Sequence, residues 1–166
     1  MSEPKIEGFD WAFWFLWIMA TTLGWVLGRF LLPNLASVII GLAMGVMQWF
    51  VLGNRISQSW RWIIATWAGW LAGSILIFSL VGEGEEFLAG IIFGVSIGTA
   101  QWLVLRNKFR WMGWWIPINI VAWTTGMALI PGIFSTGALI GAMTGIALGL
   151  LLQYPIPNKS NAPGVK

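Results

Sequence analysis

Long apolar runs alternate with short polar turns along the whole chain, and the runs fall at 11–31, 35–53, 60–81, 87–105, 112–132 and 136–153. Each is close to the roughly 20 residues that an α-helix needs to cross a bilayer. The breaks are Pro33-Asn34, the polar stretch Asn54 to Ser59, Gly82 to Glu86, Arg106 to Arg110, and Pro131-Gly132. Inside the runs, small residues recur at a spacing of four, a helical period and not a strand period. The pattern predicts an all-α integral membrane protein with six transmembrane helices.

The runs repeat in pairs. Gly41-Leu-Ala-Met-Gly45-Val-Met-Gln48-Trp49-Phe-Val-Leu52-Gly-Asn54-Arg55 returns as Gly94-Val-Ser-Ile-Gly98-Thr-Ala-Gln101-Trp102-Leu-Val-Leu105-Arg-Asn107-Lys108. A weaker third copy reads Gly137-Ala-Leu-Ile-Gly141-Ala-Met-Thr144-Gly145. The preceding runs repeat as well: Trp17 to Gly28 matches Trp62 to Gly73 and, more loosely, Trp115 to Gly126. The repeating unit is therefore a hairpin, at about 11–55, 60–108 and 112–153, flanked by an N-terminal segment 1–10 and a flexible tail 154–166. An even number of spans per unit keeps all copies in one orientation, unlike the inverted repeats of many transporters. Three direct repeats imply a pseudo-threefold bundle.

At about 100° per residue, the repeated positions fall on narrow stripes. Gly24, Gly28, Gly41, Gly45, Gly69, Gly73, Gly94, Gly98, Gly126, Gly137 and Gly141 are the expected helix-packing positions, because small residues let backbones approach where lipid removes the hydrophobic drive between helices. Six intramembrane polar residues share those stripes: Gln48 and Gln101 with Thr144 in the third copy, and Thr21 and Thr66 with Asn119. An amide in hydrocarbon must find a partner. These six are the candidate interhelical polar site, read either as glue between helices or as a place to hold a solute, lipid headgroup or ion.

Composition narrows the chemistry. The chain is 58% hydrophobic and 9% charged, against about 25% charged residues in soluble domains. It has no histidine and no cysteine, which removes imidazole and thiolate metal sites, disulfides and Cys or His catalysis. No acid or base lies mid-span, and no catalytic constellation or cofactor motif is present. The Glu83, Glu85 and Glu86 turn reads as solvated charge. The expectation is a non-enzyme with no cofactor and no metal. Of the nine Lys and Arg residues, all but Arg29 fall in segments that six spans place on one side: Lys5, Arg55, Arg61, Arg106, Lys108, Arg110, Lys159 and Lys166. The positive-inside rule makes that side cytoplasmic, with both termini there. The segment 1–10 and the run after it lack the grammar of a cleaved signal, so the first helix is expected to stay. Such scattered charge is no nucleic-acid surface. Trp11, Trp14, Trp49, Trp60, Trp62, Trp102, Trp111, Trp114 and Trp115 lie near cytoplasmic span ends and are expected to form an anchoring belt.

The repeats, with Gly94 to Arg106 followed by a basic turn and Gly113-Trp114-Trp115 as the clearest copy, resemble an uncharacterised group of small Trp- and Gly-rich bacterial multi-pass membrane proteins. The resemblance covers nearly all of the membrane part, and the lack of any organelle address makes a bacterial plasma or internal membrane the expectation. It implies no activity. Six helices in so short a chain are also similar in outline to the substrate-binding components of vitamin uptake transporters, but their coupling motifs have no match here.

Two functions remain. One is an accessory component packed in a larger complex, with the bilayer and partner subunits or further copies around it. The other is a solute-, lipid- or apolar-cofactor-binding or transport protein with its site between the hairpins. A filled bundle axis with an apolar outer groove favours the first. A cavity bordered by the Gln, Thr and Asn positions favours the second.

Overall fold

The computed structural model describes residues 8–31, 35–81 and 84–156. The expectations for residues 1–7, Pro33-Asn34, Gly82-Glu83 and 157–166 lie outside the described residues. Within them the chain is all-helical: α1 Trp11–Phe30, α2 Ala36–Leu52, α3 Arg61–Leu80, α4 Glu86–Leu105, α5 Trp115–Thr124 and α6 Ser135–Leu151. Helices α1, α3 and α4, each 20 residues, are long and apolar enough to cross a membrane. Helices α2 and α6 are equally apolar but 17 residues long, or about 26 Å at 1.5 Å per residue. Helix α5 is the shortest, because its continuation, Thr125–Leu129, is a π-turn. There the hydroxyl of Thr125 bonds back to the Val121 carbonyl at 2.7 Å, and the Gly126 carbonyl accepts from Thr136 of α6 at 3.0 Å. Side chains thus satisfy backbone groups at a break in the α-helical ladder.

Each helix packs against the next in sequence, and α6 closes the ring on α1. The glycines set the spacing. All eleven expected packing glycines are buried. A Cβ on Gly69 would stand 2.6 Å from the Ile97 Cα, and one on Gly141 would stand 2.9 Å from the Ile18 Cα. Gly24 meets Met44 while Gly28 meets Ile40, and Gly41 meets Trp70 while Gly45 meets Thr66. Position rises along one helix as it falls along its neighbour, so adjacent helices run antiparallel. Gly90, against the Thr124 Cα, belongs to the same set, although the sequence pattern alone does not mark it as a packing position.

The interior has two aromatic layers. Trp17, Trp62 and Trp115 form one with Phe13, Leu52 and Leu105. Trp25, Trp70 and Trp123 form the other with Met44, Ile97 and Ile140. In the second layer the three indoles meet pairwise at 5.8 to 6.1 Å between ring centroids. The anchoring belt is corrected accordingly. Trp62 and Trp115 are 1% exposed and lie in the core, whereas Trp11, Trp60, Trp111 and Trp114 do face outward. Recurrence separates the two groups: core tryptophans recur at one position in all three copies.

Charges divide between the two ends of the ring. At one end Arg55 pairs with Asp10 at 2.9 Å, and Lys108 donates to the Ser57 carbonyl. Burial, and secondarily the charge of Arg61, lowers the Lys108 ammonium from its ordinary pKa. The tail also begins there. The Arg110 amide donates to the Tyr154 carbonyl at 2.8 Å and the Ile156 amide to the Lys108 carbonyl at 2.9 Å. The expected flexible tail thus starts as a short antiparallel strap over the α4–α5 turn. Arg29 and Glu86 lie at the other end.

Candidate functional site: a polar layer on the bundle axis

The six polar residues picked out by the repeat all reach the interior, each no more than 4% exposed. In the first hairpin the Gln48 Nε2 donates to the Thr21 hydroxyl at 3.1 Å. Its Oε1 accepts from the Trp62 indole of the next hairpin at 2.9 Å. The second hairpin repeats this: Gln101 Nε2 donates to Thr66 at 2.9 Å, and its Oε1 accepts from the Trp115 indole at 3.1 Å. Each glutamine therefore ties its own hairpin together and receives the axial tryptophan of the following one.

The third copy departs from the pattern. The Trp17 indole still reaches it, donating to the Thr144 hydroxyl at 3.1 Å, so the relay closes around the ring. Thr144 in turn donates to the Ile140 carbonyl of its own helix at 2.6 Å. Asn119 turns its amide back to the Trp115 carbonyl at 2.9 Å. Thr144 and Asn119 stand where Gln and Thr stand in the other copies but do not bond to each other: Asn119 bonds along its own helix, and Thr144 bonds along its own helix while accepting from Trp17.

The space left on the axis is small. Trp17, Met44, Gln48, Ile97, Gln101, Trp115, Asn119, Trp123, Ile140 and Thr144 enclose about 10 Å³, at the limit for a single water. The layer offers amides, hydroxyls and indole N–H groups, mutually satisfied, and no titratable group among its lining residues. Among the described residues the buried polar atoms without a partner are Thr22 Oγ1, Trp25 Nε1 and Thr124 Oγ1, and none belongs to this layer. Such an arrangement fixes helix register and leaves no volume for a solute.

Two features escape a reading of the sequence alone. The axial tryptophans complete the polar layer, and their recurrence beside Thr21, Thr66 and Asn119 is the signal that could have found them. The second is a lateral groove of about 490 Å³ between α3 and α4, open to the outside and almost wholly apolar. Its floor includes Ala68, Ala72, Ser96 and Ala100. Through the repeat, the matching positions are Leu23, Leu27, Ala43 and Met47 in the first hairpin and Val121, Thr125, Leu139 and Met143 in the third. Only the second hairpin has small residues at all four. No family model, no curated protein and no solved structure matches this chain.

Proposed function

We propose that the chain crosses the bilayer six times, as three direct-repeat hairpins around a pseudo-threefold axis with both termini cytoplasmic, and serves as a non-enzymatic accessory component of a larger membrane complex. The carrying observation is the filled axis. A carrier needs volume where the polar residues converge, and about 10 Å³ is there. The volume lies outside instead, in the α3–α4 groove. Ala68 and Ala72 on α3, and Ser96 and Ala100 on α4, are small residues four apart, the spacing that admits a close helix–helix contact in lipid. A transmembrane helix of a partner subunit fits that floor. The end of the bundle with Arg55, Arg61, Arg106 and Lys108 is the cytoplasmic end.

Purification from the native membrane in a mild detergent or nanodisc, followed by native mass spectrometry, tests the reading. Partner subunits should co-purify and be lost when Ala72→Leu fills the groove. A bare bundle carrying a stoichiometric solute or pigment, lost in Gln48→Leu/Gln101→Leu, would establish ligand binding or transport instead.

A further inference from the structure

The walls of the α3–α4 groove run on from their apolar lining to two arginines. On α3 the exposed stripe of Ala72 and Ala68 continues through Ile64 to Arg61, two helical turns before Ala68. On α4 the exposed Arg106 stands two turns beyond Thr99, on the outward face that carries Leu103. Gly69 meets Ile97 and Gly73 meets Phe93, an antiparallel register that sets Arg61 across from Leu105 and Arg106. Each guanidinium lies over a tryptophan, Arg61 at 5.8 Å from the Trp60 ring centroid and Arg106 at 5.2 Å from that of Trp102. Lys108 is close enough to feel the charge of Arg61. Among the described residues the one ion pair is Arg55 with Asp10, so these three cations gather with no carboxylate paired to them there.

The repeat shows that groove and arginines belong together. Arg61 corresponds to Leu16 in the first hairpin and Trp114 in the third, and Arg106 to Gly53 and Gly149. Only the hairpin with the small floor has the two cations at its mouth. The groove itself suits a hydrocarbon chain. Its Ser96 hydroxyl donates to the Ile92 carbonyl of its own helix at 2.7 Å and so is not free to bond an occupant. Along α4 the lining extends from Ile91 to Leu103, about 18 Å at 1.5 Å per residue, a little over half of a hydrocarbon core of about 30 Å. That is the depth of one leaflet. At the mouth, guanidinium groups match a phosphate bidentately, and basic pockets at the cytoplasmic ends of transmembrane helices hold anionic headgroups. A zwitterionic headgroup would bring a fourth cation to the same place.

We propose that, in the bundle without its partner, this groove holds one chain of an anionic glycerophospholipid, with the phosphate between Arg61 and Arg106. The inference rests on the six-span reading, which sets the arginines at the depth of the cytoplasmic headgroups. It also extends the partner reading, because a partner helix enters the groove by displacing this lipid.

The test holds the protein in phosphatidylcholine nanodiscs containing equal minor amounts of phosphatidylglycerol and phosphatidylethanolamine. Native mass spectrometry after gentle release reads the lipid retained, which should be one phosphatidylglycerol. Arg61→Gln/Arg106→Gln should lower that retention about tenfold, the loss expected for one charge-assisted hydrogen bond. Ala72→Leu should lower it with both arginines in place. In the wild-type protein, phosphatidylglycerol carrying a diazirine in its acyl chain should cross-link on irradiation to the α3 and α4 peptides that line the groove, a readout independent of how any variant folds. Equal retention of phosphatidylethanolamine, or retention indifferent to the arginine pair, overturns the headgroup assignment. Cross-links confined to other faces of the ring overturn the groove. If a partner subunit co-purifies from the native membrane while the isolated bundle retains no phosphatidylglycerol, the lipid inference falls and the accessory role stands. If the groove retains the lipid and no subunit co-purifies, the lipid site stands and the accessory role falls.

Discussion

Trp62 gives its indole proton to the Gln48 Oε1 at 2.9 Å, across the boundary between the first and second hairpins. The aromatic layer and the polar layer are therefore one unit, and an amide placed in a helix of one hairpin fixes the rotamer of a tryptophan in the next. Gln101 and Trp115 repeat the contact.

Replacing Gln48 with leucine strands two buried polar groups, since Trp62 loses its acceptor and Thr21 its donor. A loss of roughly 1–3 kcal/mol is expected, read as a lower midpoint in denaturant titration in mixed micelles. Gln48→Leu/Trp62→Phe should cost less than the sum of its parts, because the second change removes the stranded N–H. Additive losses would mean that the bond contributes nothing to coupling the hairpins.

The third hairpin carries Asn119 and Thr144 where the others carry Thr and Gln, an exchange that moves the amide from one helix to its partner and leaves the pair smaller. Thr144→Gln alone should overpack an axis with about 10 Å³ to spare, and Asn119→Thr alone should lose the amide bond to the Trp115 carbonyl. Together they should restore the relay of the first two hairpins. Thermal denaturation should show each single variant destabilised by roughly 1–3 kcal/mol and the double variant nearer to wild type than either. A double variant worse than both would show that the exchange reflects an asymmetric requirement of the third copy.

Much of this was legible because repetition acts as an internal control. Gln48 and Gln101, at matching positions of matching helices, could be assigned to the interior with no structure, as could the glycine stripes. Span position alone puts Trp62 and Trp115 in the headgroup layer, because indole chemistry suits that layer and the core equally and distance from a span end does not separate the two. The shortened α5 was hidden for a different reason. Its π-turn depends on Thr136 of α6 donating to the Gly126 carbonyl, a tertiary contact with no local sequence mark. The lateral groove is a departure from the repeat, and a departure acquires meaning only once the ring shows what surrounds it.

Glycine tolerance should follow neighbouring backbone and not helix propensity. A Cβ at Gly69 would stand 2.6 Å from the Ile97 Cα and 2.9 Å from the Ser96 carbonyl oxygen, neither of which can swing aside. Gly113 has nothing within 4 Å. Gly69→Ala should therefore destabilise by about 1–3 kcal/mol, while Gly113→Ala should be neutral or gain a few tenths through the unfolded chain. Equal effects in a denaturation assay would show that α3 and α4 do not pack at this distance.

Asp10 caps α1 by accepting the Phe13 amide at 2.8 Å, and this bond is the main cause of its lowered pKa, with Arg55 a lesser one. A depressed carboxyl contributes stability that is present above its ordinary value near 3.8 and lost as pH falls through the lowered one. Asp10→Ala should cost about 0.5–2 kcal/mol at neutral pH and flatten the acid limb of the stability profile. Arg55→Gln should cost less than about 1 kcal/mol, since both partners of the pair are nearly half exposed. The reverse ranking would make the ion pair, not the cap, the important contact.

The proposed six-span arrangement makes a sided prediction. Ser57 lies in the α2–α3 turn with the basic residues, and Glu85 lies just before α4 at the opposite end; both are exposed. The native chain has no cysteine, so Ser57→Cys and Glu85→Cys each supply a unique thiol. In intact cells a membrane-impermeant maleimide should label Glu85→Cys and leave Ser57→Cys unlabelled until the membrane is opened. Helices of 17 residues, and an α5 continued by a π-turn, span a bilayer only where it thins around them or where flanking side chains snorkel. The outward Trp60, Trp111 and Trp114 rings beside the basic turns are suited to hold such a boundary. Labelling of both thiols from outside would place the two ends of the ring on one face, and would end the six-span reading.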